Sequence, residues 1–449
     1  MNIYQDIFFR SMDILRGRKT IERLKFLRKS QYWDRETLQH WQLSRLNELL
    51  AQAKNNSPFY RETLSHIQLP LRSLKEIENI PIIRKEDIKA NGDRIKCTNI
   101  PPGRFVPSRT GGSTGEPMHY FWDKRGMDWN RASVYRSGEW ANVYLGEHTI
   151  QMSGSRADFN QMRKLQWKLI YFLQRYRDLP VAFLNKGLLE KYFNILQKFR
   201  PTSIWGYASG IYEFAKYLNE AHPDVRYPYL KALITSSENL GEKRREFINK
   251  VFDPARVFDN YGSREIYIGA ECNQHDGYHL HSEVIILEIV NKENRSCKPG
   301  ELGRVVLTDL SNHAFPFIRY ENGDVGTMAE ENKCACGVML PKLRSIEGRI
   351  VDTIILPDRK LTAVNFSLIF SDKKGIKAYQ IIQDDMQLLK VLLVPDSDYT
   401  EEVKRYIIES LQAIIGSDVE LHIEETDIIP VPESGKRRYV ISNIAKEQL

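Results

Sequence analysis

Tyr229 to Glu265 read as a short apolar run, a polar turn, a charged helix, a second short run and a second turn: YLKALIT, SSENLGEK, a helix to Val251, ARVFD, then YGSRE. Strand, turn, helix, strand is the rhythm of an α/β layered domain. Helical patterns precede it. Trp33–Asn56 carries Leu38, Trp41, Leu46, Leu49, Leu50 and Ala53 near helical spacing, Leu71–Ala90 reads as two helices broken at IPII, and Gly187–Phe199 stops before Pro201. From Val284 the texture changes. VIILEIV, GRVVLTDL and DVGTMA are short strands with turns between them, which predicts antiparallel pairing. After Arg349 come a hairpin, DTIILPDRKLTAVNF, a strand, LLKVLLV, a helix from Thr400 to Ile415 closed by Gly416, and two more strands. Asp398 with Glu401 reads as the start signal of that helix. This last stretch predicts a small C-terminal domain.

A chain of 449 residues is too long for one ordinary core. With 42% hydrophobic and 27% charged residues its composition is that of a soluble globular protein. The longest apolar runs, such as Ile354-Ile355-Leu356, fall far short of a bilayer span. No signal peptide is read in the N-terminal residues, and five cysteines make no disulfide framework, so a reducing cytoplasm is expected. The net charge of +7 fits an anionic substrate or lipid as well as nucleic acid. No homeodomain, RNA-recognition or basic-zipper pattern is present, so no nucleic-acid partner is expected. Basic residues are dense from Arg10 to Lys29, beside apolar Ile3, Phe8, Met12, Ile14 and Leu15. Two readings stand: a helix lying on anionic lipid, or a solvated helix packed on its own domain.

The stretch SRTGGSTGEPMHYF, Ser108–Phe121, carries the densest chemistry. GGSTG fits the G-x-S-x-G elbow of serine hydrolases, with Ser113 as nucleophile. It also fits a phosphate cradle, in which glycines let backbone N–H groups approach phosphate oxygens and Thr110, Ser113 and Thr114 add hydroxyls. An elbow runs from a buried strand into a helix. Here PPGRFVPSRT precedes and Pro117 follows, so a turn between two strands is expected. No Gly-Lys-Ser/Thr follows, so it is not a Walker A loop.

TGGSTGEP, Thr110–Pro117, is similar to the phosphate loop of the acyl-adenylate-forming enzymes. Within that superfamily the chain resembles the phenylacetate–CoA ligase family, in the branch linked to capsular and other surface polysaccharides. Five further stretches carry the resemblance in the family's order: SSENL, YGSRE, RYENGDVG, EGRIVD and ESGKRRYV. The resemblance implies a large α/β domain over 1–348, with a helical lead-in over 1–100 and a β subdomain, and a small mobile α+β domain over 349–449. It implies roles as well. Thr110, Gly111, Gly112, Ser113, Thr114 and Gly115 wrap ATP phosphates. Ser237, Glu238 and Asn239 lie against the adenine, as does Tyr261, followed by Gly262. Glu265 holds Mg²⁺, Asp324 holds the ribose hydroxyls with Arg349 nearby, and Lys436 is the catalytic lysine of the C-terminal loop. Arg264 replaces the usual threonine before the glutamate, and Val351 replaces a usual charged hinge residue.

The implied chemistry is ATP-dependent adenylation of a small-molecule carboxylic acid, then acyl transfer to coenzyme A or an amine. The acid is expected between WGYASG, Trp205–Gly210, and the turn near Tyr261. Cys334-Ala335-Cys336-Gly337 is a C-x-C-G knuckle, and Cys272 lies upstream with His275, His279 and His281. Three thiolates and one imidazole suit a closed, structural Zn²⁺ site, and the resemblance selects His279. The rivals are a serine hydrolase using Ser113, a decayed family member serving as an assembly factor, and a zinc-ribbon nucleic-acid binder. A homodimer and a peripheral membrane contact through the basic N-terminus are left open.

Overall fold

The computed structural model describes residues 4–110, 118–152, 170–181, 184–331, 333–349, 353–357, 360–362, 366, 369–370, 375–416, 418–430 and 439–444. Several helices start where a side chain satisfies a free backbone group. Arg35–Asn56 is capped by Asp34, which accepts from the Thr37 N–H, and ends before Ser57 and Pro58. It buries Leu38, Leu46, Leu49, Leu50 and Ala53. Lys186–Phe199 is capped by Asn185 and ends on Arg200 at φ 47, just before Pro201. The region read as two helices between Leu71 and Ala90 is a 3₁₀ turn, Leu74–Asn79, followed by the helix Lys85–Ile95.

An eleven-stranded sheet organises the larger part. From one edge its strands are Ile285–Val290, Gly303–Asp309, Tyr320–Met328, Lys342–Arg349, Tyr278–Leu280, Tyr267–Ala270, Arg256–Gly262, Ala232–Ser236, Ser203–Tyr207, Thr149–Met152 and Tyr176–Asp178. The last five pair in parallel, and the others pair antiparallel. Helices Lys186–Phe199, Ala208–Ala221 and Glu242–Val251 fall between consecutive strands of the parallel half and share its buried core with Ile204, Leu233 and Val257. Gly206 permits the closest approach there, since a Cβ would lie 2.1 Å from the Met152 carbonyl oxygen. The early helices pack against the antiparallel half, with Leu24, Leu27, Leu46 and Leu50 in one core with Ile268, Ile285 and Leu307.

A buried ion pair fastens these layers. Arg136, on helix Lys124–Trp140, donates to both carboxylate oxygens of Glu283, at 2.6 and 2.9 Å, and to the Leu27 carbonyl at 3.1 Å. Ser30 donates to the same carboxylate at 2.6 Å, and both charged side chains are fully buried. Removing either partner would strand the other charge, which costs far more than the pair itself contributes.

The C-terminal part has its own four-stranded sheet, in the order Glu420–Glu425, Leu388–Pro395, Ile376–Asp385, Val440–Ser442. Its separate core includes Ile381, Val391, Leu393, Ile407, Leu411 and Val440. The expected hairpin forms from Thr353–Ile355 and Lys360–Thr362. Gln383 ties it to the sheet, bonding the Ile355 N–H at 2.9 Å and carbonyl at 2.6 Å. Two expectations are corrected here. Strand Ile376–Asp385 was not read from the sequence, because IKAYQIIQDD lies in the middle of a sheet yet alternates polar and apolar residues weakly. Helix Glu401–Ile415 is capped by Thr400, which accepts from the Val403 N–H, whereas Asp398 stands outside it, its own N–H donating to Asp396. No helix among the described residues is long and apolar enough to cross a membrane.

Candidate active site

Open α/β sheets bind ligands beyond the C-terminal ends of their parallel strands. In this sheet Tyr207, Ser236 and Asn260 are register partners at those ends. Ala208–Gly210, Ser237–Asn239 and Tyr261–Glu265 therefore emerge side by side. Ser237 sits at φ 68, a left-handed conformation costing a serine ~1–2 kcal/mol. Glu238 accepts from the Ser209 N–H at 2.9 Å, at the start of helix Ala208–Ala221, and Asn239 accepts from the Gly241 N–H at 2.9 Å. Glu238 ties the loop to that helix, and Asn239 holds the loop's own turn.

Tyr261 reaches across to the antiparallel half. Its hydroxyl donates to Asp324 Oδ2 at 2.8 Å. Asn322 donates to that carboxylate oxygen at 2.8 Å and to the Tyr261 oxygen at 3.0 Å, and accepts from the Asp324 N–H at 3.0 Å. Asp324 stands opposite Arg349 in the strand register. Gly262 follows at a register shift, where a Cβ would lie 3.2 Å from the Tyr267 Cα.

The glycine-rich stretch lies between two strands that pair with each other, as expected. Val106–Arg109 pairs antiparallel with His119–Trp122. Thr110 closes the neck: its N–H donates to the Met118 carbonyl at 3.0 Å, and its hydroxyl accepts from the Met118 N–H at 2.9 Å. The Tyr120 hydroxyl donates to the Arg264 carbonyl at 2.6 Å and accepts from Ser108 at 2.9 Å, stapling this hairpin to the YGSRE turn. Burial pushes the Tyr120 phenol up to about 12, and the Glu265 carboxylate nearby adds to the rise. Glu265 itself is buried, and among the described residues no hydrogen bond or ion pair reaches its carboxylate. Gly111, Gly112, Ser113, Thr114, Gly115, Val351 and Lys436 lie outside the described residues, as does the Arg349 side chain.

Behind the turn a polar layer fixes its strand. Asp259 accepts from Thr235 at 2.6 Å and from Tyr278 at 2.8 Å, while its N–H donates to Glu271 at 2.9 Å. Arg245 holds Glu271 with contacts of 2.7 and 3.0 Å. Burial raises Asp259 to about 6, and Glu271 adds to the rise. Trp205 is half-buried and takes part in the packing. It clusters with Ala141, Val143 and Phe258, and its ring lies close over Gly138.

The cysteine knuckle also closes on the residues selected. The ligand atoms of Cys272, His279, Cys334 and Cys336 all lie within 4.8 Å of one another. Cys272 and Cys334 sulfurs are 3.6 Å apart, and Cys336 Sγ is 3.2 Å from His279 Nε2. His279 Nδ1 faces the Leu340 carbonyl at 3.4 Å, which leaves Nε2 as the ligating nitrogen. Burial brings the His279 imidazole down to about 4, so it is neutral, as a ligand must be. His275 and His281 are turned elsewhere: His275 toward Glu271 at 3.3 Å, His281 between Arg136 at 2.7 Å and Ser137 at 3.0 Å.

Comparison with known proteins gives the same direction. Residues 355–443 match the family model described as the CapK C-terminal domain. The chain is 25% identical over 413 residues to Protein CapK of Staphylococcus aureus, covering 90% of this chain and 89% of that one. It is 23% identical over 344 residues to a phenylacetate-coenzyme A ligase of Thermus thermophilus, covering 72% of each. Among solved structures, a 2-hydroxyisobutyryl-CoA ligase in the postadenylation state, in complex with R3-HIB-AMP, aligns with a TM-score of 0.71 at 18% identity, covering 93% of this chain and 94% of that one. In sequence and in fold the chain is similar to the acyl-adenylate-forming ligases. Two residues of this candidate site carry no reading from the sequence. Asn322 sits two before Asp324 in RYENGDVG, where its place in the motif was the available signal. Tyr120 had none, since its role depends on a contact with Arg264, 144 residues away.

Proposed function

We propose that this protein couples a carboxylic acid to AMP, releasing pyrophosphate, and then passes the acyl group to coenzyme A or an amine in surface polysaccharide biosynthesis. The observation that carries this reading is the joining of Tyr261, Asn322 and Asp324 in the turn that also holds the buried Glu265, with the glycine-rich hairpin stapled to the same turn. In the first step a carboxylate oxygen bonds to the α-phosphorus, the bond to the β-phosphate oxygen breaks, and pyrophosphate leaves. Both reactants are anions, so the site must offset charge and fix an in-line approach.

Each group of this chain has a part. Backbone N–H groups of Thr110–Gly115 hold the terminal phosphates. Tyr261 flanks the adenine, and its bond to Asp324 sets the carboxylate that accepts from the ribose hydroxyls, with Arg349 alongside. Glu265 would hold Mg²⁺, which offsets charge at the phosphates. Lys436 bridges the acid and the α-phosphate as charge develops. In the second step the nucleophile displaces AMP, losing its proton as the thioester or amide forms.

The cysteine and histidine set fits Zn²⁺ with no open position, so its contribution is to join Cys272 to the Cys334–Cys336 turn. The hydrolase reading is disfavoured, because a nucleophile elbow leads from a strand into a helix and this loop returns into the strand His119–Trp122. Pyrophosphate–ATP exchange with pooled aryl, amino, hexuronic and fatty acids, in wild type and Lys436→Ala, tests the function. Exchange with one pool, lost in the variant, is expected. Absence of ATP binding by calorimetry would return the chain to the assembly-factor reading. Metal analysis of wild type against Cys336→Ser tests zinc, with one equivalent expected only in the wild type.

A further inference from the structure

The basic N-terminal run divides in two. Its second half is occupied by the protein's own body: Arg18 and the Lys19 N–H bond Asp128, and Arg28 pairs with Glu139. Its first half is different. Ile7, Ile14 and Leu15 are 65, 71 and 85% exposed, and their spacing of seven and eight residues puts them on one face. Beside them, Phe172 and Leu173 are also exposed. The two segments touch: the Tyr4 hydroxyl donates to the Leu173 carbonyl, and Arg175 lies 4.3 Å over the Tyr4 ring. Five of the eleven large apolar residues exposed among the described residues therefore lie on these two touching segments, more than scatter would place there.

The surroundings are cationic. Arg10 and Arg16 are exposed and have no carboxylate partner among the described residues. Arg177 stands 6.0 Å from the Phe172 ring. Between the first helix and the body runs a groove lined by Met12, Asp13, Arg16, Arg18, Arg131 and Gln174; Arg18 is held by Asp128, and the guanidinium groups of Arg16 and Arg131 suit a phosphate. Asp13 accepts from the Ile21 N–H at 2.7 Å, so its charge is engaged within the fold. Apolar side chains on a face rimmed by arginines match the acyl boundary and the phosphate layer of an anionic bilayer. We propose that this face docks the protein on an anionic lipid surface, with Ile7, Ile14, Leu15, Phe172 and Leu173 entering the interface and Arg10 and Arg16 meeting headgroup phosphates.

The test is co-sedimentation of the full chain with vesicles of phosphatidylcholine alone and of equimolar phosphatidylcholine and phosphatidylglycerol. Binding to the anionic vesicles only, weakened by salt, is expected. Leu15→Asp with Phe172→Asp should lower that binding about tenfold or more with an unchanged melting curve, since both side chains are exposed. Arg10→Glu with Arg16→Glu should lower it comparably. Failure of the wild type to bind, or equal binding by either double variant, overturns the proposal. So does size exclusion showing a dimer that Leu15→Asp with Phe172→Asp converts to a monomer, which would make this face a contact between two copies of the chain.

Discussion

Glu265 carries the sharpest consequence at the scale of a single residue. Its carboxylate is buried close enough to Tyr120 to raise that phenol, yet no donor among the described residues offsets it. A carboxylate set in the turn next to the glycine-rich hairpin is placed to act through what it binds. Glu265→Gln should therefore lower pyrophosphate–ATP exchange by about 100-fold, on the scale of one lost transition-state contact, while leaving the melting temperature equal or higher. A fall in melting temperature with exchange intact would mean that the carboxylate serves the fold. The cysteine set shows how far single residues could be read. Cys-x-Cys-Gly is a local signal, but the choice among three histidines needed the resemblance, and the geometry agrees with it at His279.

At the scale of elements, the helix of the C-terminal domain separates two start signals. Thr400 caps it and Asp398 does not. Thr400→Ala should cost ~1 kcal/mol of unfolding free energy, and Asp398→Ala well under half of that, both read by denaturant titration. Asp398 was the stronger candidate by residue type alone, since aspartate caps better than threonine in general. The register of the chain decided otherwise, by placing Thr400 three residues before a free N–H. The parallel half of the sheet makes a second prediction. A methyl at Gly206 would meet the Met152 carbonyl at 2.1 Å, and that neighbour is backbone in the next strand. Gly206→Ala should destabilise by about 3 kcal/mol or more, with loss of ATP binding, because the same strands present the loops at their ends.

The whole molecule responds to pH through groups buried in its layers. Burial, with Arg45 nearby, brings His313 down to about 4, and burial beside Arg136 holds His281 well below its ordinary value. An unfolded histidine titrates near 6.5. Between about 4 and 6.5 the unfolded chain binds the extra proton, so this stability is present above 6.5 and lost as pH falls toward 4. Asp259 and Asp309, raised to about 6 by burial, act in the opposite sense over the lower part of that range. A variant comparison isolates the histidine. Between pH 7 and pH 5, wild type should lose about 2 kcal/mol more unfolding free energy than His313→Gln, measured by chemical denaturation at each pH. Equal losses would show that His313 charges freely in the folded state.

Much of this protein was decided by short stretches of chain. The strand, turn and helix between Tyr229 and Glu265, the hairpin around the glycine-rich loop, and the order of the motifs all follow from periodicity and turn chemistry within a few residues. Those signals are local because helix and strand bury every third, fourth or second side chain. The three-dimensional structure decided what meets what. It gave Tyr261 to Asp324 and Asn322, fastened Tyr120 to Arg264, took Trp205 into the packing, and brought Cys272 against Cys334. It also divided the basic N-terminus, pairing Arg18 and Arg28 with the body and leaving Arg10 and Arg16 at the surface. The joining of Tyr261 to Asp324 and Asn322 depends on the order and register of an eleven-stranded sheet. No short stretch encodes that order, because many distant residues must bury their apolar faces together before it is set.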